Sequence, residues 1–171
     1  QRIARIGGQA GGQPFQLGDG AGGLGRAIGL RVSEEGGHVG THVDALAHVS
    51  QDGKVFGGID AYGIQSDEGF AEHGIDAFPP FVGRCVVLDV ARLHGVDHLA
   101  PGYGVTAEDL QSAADDAGVE VHAGDAVLIG TGWSRRWDEK DAFIGLTDGV
   151  PGPDTGAARW LIDRGVAVAG G

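Results

Sequence analysis

The chain has 171 residues, enough for one domain with its own core, and its 42% apolar and 21% charged content is that of a globular protein rather than a disordered one. No apolar run approaches the ~18 residues a spanning helix needs. With 24 acidic against 12 basic residues, the formal charge is −12 and no Lys/Arg cluster is available to neutralise phosphates, so neither nucleic acid nor a membrane surface is expected as a partner.

Residues 1–30 are rich in Gly and Gln, with scattered apolar positions and no sustained period of two or 3.6. They read as a glycine-rich N-terminal segment, loop or ordered only by packing. Gly18-Asp19-Gly20-Ala21-Gly22-Gly23 follows no convincing strand and lacks the Lys-Ser/Thr ending of a phosphate-binding loop, so nucleotide binding is not expected. Residues 31–171 read as a single α/β domain.

Three of the seven histidines then fall within one short stretch, His38-Val39-Gly40-Thr41-His42-Val43-Asp44-Ala45-Leu46-Ala47-His48. A helix would place His38 and His42 on one face. Gly36, Gly37 and Gly40 disfavour a helix, and Thr41 and Val43 prefer strands. A straight strand fails too, because at a rise of ~3.3 Å per residue the two histidines would stand ~13 Å apart. The chain must bend between them, and Gly40 is the residue that reaches a left-handed conformation at little cost. Beyond the bend, His42 and Asp44 share one face of an extended segment. A turn through Ala45-Leu46-Ala47 would bring His48 back to the same side. The expected arrangement is a divalent ion held by His38, His42 and Asp44, with His48 beside its open positions. Two nitrogens and one oxygen suit Zn²⁺, Mn²⁺ or Fe²⁺ better than Ca²⁺ or Mg²⁺. Three protein ligands leave room for an activated water, and histidine is the side chain that exchanges protons near neutral pH.

Further along, Arg84 to Val90 is a short β-branched run after the breaker pair Pro79-Pro80, the pattern of a buried strand. Cys85 within it is expected to be a small packed hydrophobe. As the only cysteine it excludes an internal disulfide framework, and a reducing cytoplasm is the expected compartment. Thr106-Ala107-Glu108-Asp109 has capping-box spacing, which predicts a helix over Ala107–Ala117 ended by Gly118 in the left-handed conformation. Val119 to His122 alternates like a strand, Ala123-Gly124-Asp125 reads as a turn, and Ala126 to Gly130 as another buried strand. A second helix is expected over Gly156–Arg164, with Trp160 in the core, Gly165 closing it, and a strand from Val166. The elements make a mixed α/β pattern.

Other candidates have blander explanations. His73, His94, His98 and His122 are isolated and are expected to face solvent or pack. Gly130-Thr131-Gly132-Trp133-Ser134 is not a nucleophile elbow, since Arg136 stands where the closing glycine would be. Arg135-Arg136-Trp137 reads as a solvated loop.

The stretch from His38 to His48 resembles the H-x-G-T-H-x-D-x-x-x-H signature of the metal-dependent cyclase family, which includes kynurenine formamidase and isatin hydrolase. The flanking Ser50–Gly58, Val82–Arg92 and Gly118–Ile129 segments agree with it, and the likeness runs over most of Gly36–Gly171. Many members carry proline where this chain has Leu46. The resemblance implies a swivelling β/β/α fold, a mixed sheet or barrel-like core with flanking helices. It also implies hydrolysis of a C–N bond in a small amide or cyclic amide, zinc or manganese as the metal, His38, His42 and Asp44 as metal ligands, and His48 as the catalytic histidine. Members continue past the point where this sequence stops, into a segment that supplies a further His and Glu, so the sequence is read as incomplete. Cyclisation or dehydration by the same ion, and a non-catalytic metal-binding or assembly role, are the alternatives. A small-molecule substrate and a homo-oligomer complete the expectations.

Overall fold

The computed structural model describes residues 4–7, 42–67 and 69–171. The chain divides into two compact units, residues 1–6 with 82–171, and residues 7–81. In chain order come β1 (Ala4–Gly7), β2 (His42–Asp44), α1 (Ala61–Ile64), β3 (Gln65–Ser66) and β4 (Gly69–Phe70). The rest comprises β5 (Cys85–Asp89), α2 (Val90–Leu93), β6 (Gly104–Val105), α3 (Ala107–Ala117), β7 (Ala126–Gly130), α4 (Lys140–Ile144), β8 (Gly152–Pro153), α5 (Thr155–Asp163) and β9 (Val168–Gly170). This is the expected mixed α/β architecture.

The larger unit is built on parallel strands in the order β1, β9, β7, β5. One face of this sheet carries Val86, Leu88, Val127, Ile129 and Ala169, and these merge with the apolar faces of α2, α3 and α5 into one core. Burial of side chains such as Leu88 and Leu110, both fully enclosed, contributes roughly 2–3 kcal/mol each. α3 forms because its ends are satisfied locally. Thr106 Oγ1 accepts the Asp109 N–H, Asp109 Oδ2 accepts the Thr106 N–H, and Gly118 at φ 63° closes the last turn. α5 begins at Thr155, one residue before the expected Gly156, because the Asp154 carboxylate accepts the Ala157 N–H at 2.7 Å. Trp160 lies in the core as expected, its indole N–H donating to Gln111 and its ring lying under the Arg164 guanidinium. No helix among the described residues is long and apolar enough to cross a membrane.

Three expectations are corrected. Residues 1–30, read as loop or ordered only by packing, contain a strand, β1, which pairs with β9 and whose four residues are too few to show a sustained period. Val119–His122 is not a strand, because its backbone is engaged elsewhere. The Val119 N–H donates to the Ala114 carbonyl, the Glu120 carbonyl accepts from the Arg84 guanidinium, and the His122 N–H donates to the Asp125 carboxylate. Cys85 is exposed, not packed. It shares with Val87 and Asp89 the face of β5 opposite the helices, so the alternate residues Val86 and Leu88 are buried in its place.

Candidate metal centre

The smaller unit carries the histidine cluster. His42, Val43 and Asp44 are extended in β2, so the side chains of His42 and Asp44 leave the backbone on the same side. His42 Nε2 lies 3.3 Å from Asp44 Oδ1. After Asp44 the chain turns sharply, with the His48 N–H donating to the Ala45 carbonyl at 3.0 Å. That single turn replaces anything longer, and it carries the His48 ring back so that its Nε2 stands 3.9 Å from the same Asp44 oxygen. Ala47 anchors the turn as its buried residue. Two imidazoles and one carboxylate thus converge, at 20–34% side-chain exposure, within reach of water and of a small molecule.

The surrounding chain is short and tightly turned. Asp52 and Gly53 both take positive φ, at 52° and 73°, and Gln51 and Lys54 exchange two backbone hydrogen bonds of 2.9 Å across them. This is the two-residue hairpin turn that Asp-Gly favours. Val55, Ala61 and Ile64 form a small core beneath it. A second segment reaches the cluster from further along the chain: the Ala47 N–H donates to the His73 carbonyl at 3.2 Å. His73, expected to be isolated and to face solvent or pack, therefore holds the turn that presents His48. Its own backbone lies at φ 61°, a region histidine enters more readily than most residues. Nothing local in the sequence marks it, because the contact joins residues far apart in the chain.

His42 and Asp44 offer one nitrogen and one carboxylate oxygen, a donor set that suits zinc or manganese. His38, the third expected ligand, and the Gly40 bend lie outside the described residues. Among the described residues, no three His, Cys, Asp or Glu side chains are gathered around a common point as a finished ion site. The described part of the cluster is thus two of the three expected ligands with His48 alongside.

A family model described as "Putative cyclase" matches residues 16–171. The chain belongs to the Cyclase family. A solved structure titled as that of a novel cyclase is similar to it, with a TM-score of 0.65 and 24% sequence identity. The match covers 77% of this chain and 48% of the other, so this member spans about half the length of that cyclase. At this identity the likeness concerns the fold. No curated protein matches the chain.

The remaining histidines of this Cyclase family member are accounted for by packing or pairing. His94 donates to the buried Asp109, and His98 Nδ1 donates to the Leu99 carbonyl while its ring stands edge-on to Trp133. His122 meets Arg84 at 2.7 Å. Arg135 and Trp137 are exposed, as expected of a solvated loop. Arg136 is mostly covered, lying over Trp133 and paired with Glu139.

Proposed function

We propose that this member of the Cyclase family is a metal-dependent hydrolase that opens a C–N bond in a small amide or cyclic amide. The observation that carries the reading is the convergence of His42 Nε2 and His48 Nε2 on Asp44 Oδ1, at 3.3 and 3.9 Å. His42 and Asp44, with His38, would hold a zinc or manganese ion. When bound, such an ion supplies Lewis acidity that polarises a carbonyl and makes water a better nucleophile.

The chain's own residues do the rest. Asp44, fixed on β2, orients the His42 ring. His48, its side chain 34% exposed and its Nε2 3.9 Å from Asp44 Oδ1, takes a proton from water and returns it to the departing nitrogen, the role an imidazole can fill near neutral pH. The turn bonded to the His73 carbonyl keeps that ring in place between the two transfers.

Elemental analysis of the purified full chain, followed by assay of N-formylkynurenine, isatin and related amides with Zn²⁺ or Mn²⁺ added, tests the proposal. Bound metal and a product heavier than substrate by one water support it. Absence of both metal binding and amide opening sinks it. The family's description keeps cyclisation or dehydration as a second reading, in which the product has the substrate's mass or loses a water.

A further inference from the structure

We propose that Arg84 and His122 form an acid-released latch between the chain entering β5 and the connection from α3 to β7. The latch lies in the larger unit and stands independently of the hydrolase reading. The Arg84 guanidinium donates to His122 Nδ1 at 2.7 Å and to the Glu120 carbonyl, and it stands 3.4 Å from Asp125 Oδ2. A guanidinium carries donors only and keeps its charge at any pH a protein meets. His122 Nδ1 is therefore the acceptor, which puts the single proton of the neutral ring on Nε2.

A ring that takes up a second proton turns Nδ1 from acceptor into donor. Two N–H groups then face each other and two cations share the site. The acids of the cluster accommodate that charge. Glu120 Oε2 is 3.4 Å from His122 Nε2, and Asp125 Oδ2, already beside Arg84, accepts the His122 N–H at 2.8 Å. Arg84, Glu120 and Asp125 are the charged groups around the ring. With carboxylates to receive its charge, His122 can hold the proton, and the contact it cannot keep is the one to Arg84.

His94 and His98 behave otherwise. His94 Nε2 meets the Asp109 carboxylate at 2.7 Å and His98 Nδ1 meets the Leu99 carbonyl at 2.9 Å. Both partners are acceptors, so protonation leaves each bond in place. Among the described histidines of this unit, His122 alone is bonded to a permanent cation.

Release has a consequence because Val119–His122 is not a strand. Val121 packs in the core, the Val119 N–H is bonded to Ala114 at the end of α3, and the His122 N–H is bonded to Asp125 within the same connection. Among the hydrogen bonds of the described residues, those from Arg84 alone reach this stretch from another element. Protonation of His122 thus loosens the connection while the sheet and helices stay intact.

The test is amide hydrogen exchange followed by NMR on the full chain at about pH 7.5 and about pH 5.5, either side of the ~6.5 at which imidazole ordinarily titrates. Relative to its intrinsic rate, the residue-122 amide should exchange about fivefold faster at the lower pH, the worth of one ordinary hydrogen bond. His122→Asn, whose Oδ1 takes the place of Nδ1 and binds no proton, should keep the slower exchange at both pH values. His122→Lys should show the faster exchange at both, and so should Arg84→Ala. The Asp109 amide, next to the His94 contact, is the control and should hold steady. Equal protection of the wild-type amide at the two pH values overturns the proposal, as does a pH response that survives in His122→Asn or, if that variant does not fold, in Arg84→Ala. An equal change at Asp109 would mark general loosening and overturns it too.

Discussion

His94 Nε2 lies 2.7 Å from Asp109 Oδ1, and this bond ties the end of α2 to the start of α3. The other oxygen, Oδ2, accepts from the Thr106 N–H, the Thr106 hydroxyl and the Tyr103 hydroxyl. Burial by itself would raise the Asp109 pKa. The donors from Thr106, His94 and Tyr103 outweigh it and hold the carboxyl below its ordinary range.

A folded-state pKa below the unfolded one means that Asp109 stabilises the fold at neutral pH, and that this contribution fades as pH falls through the depressed value. Asp109→Ala should cost about 2 kcal/mol at pH 7, since it removes the carboxylate half of the α3 capping box and leaves the partly buried Thr106 and Tyr103 donors unmatched. The cost should shrink towards acid. Urea melts of both proteins at pH 7 and pH 3 check this, and a cost that is the same at both pH values counts against it.

For the metal centre, His42→Ala and Asp44→Asn should each lose bound metal. His48→Ala should retain metal and lose turnover by about 10²- to 10⁴-fold, the range for a general acid–base group. Metal content by elemental analysis alongside turnover separates the two classes. Loss of metal in His48→Ala would reassign that residue as a ligand.

Gly118 and Gly132 share a left-handed backbone, at φ 63° and 69°, but differ in their space. A Cβ at Gly118 meets nothing within 4 Å, whereas one at Gly132 would stand 2.1 Å from the Asp97 carbonyl oxygen. Gly118→Ala should therefore cost about 1 kcal/mol, the backbone term alone. Gly132→Ala should cost about 3 kcal/mol or more, because a backbone clash is added to it. Thermal melts rank the two, and equal costs would contradict the packing of the Asp97–His98 segment on Gly132.

Cys85 lies on the uncovered face of β5. A thiol reagent should modify the native chain at Cys85 without denaturant, at close to the rate of the unfolded protein. Protection until unfolding would show that this face is covered in solution.

Elements governed by neighbours in the chain were legible in the sequence. Thr106 and Asp109 predict the start of α3 and Gly118 its end, because a capping box and a left-handed closing residue act within one turn of backbone. The apolar runs locate β5 and β7, and the alternation of His42 and Asp44 predicts their convergence, since side chains two apart on a strand share a face. Tertiary structure alone decided the rest. That Cys85 is bare while Val86 is buried depends on which sheet face the helices cover. That Val119–His122 is no strand depends on Arg84 and Asp125 claiming its polar groups. That His73 holds the His48 turn depends on a hydrogen bond between segments distant in sequence, which composition and periodicity do not encode because both describe only a residue's neighbours along the chain.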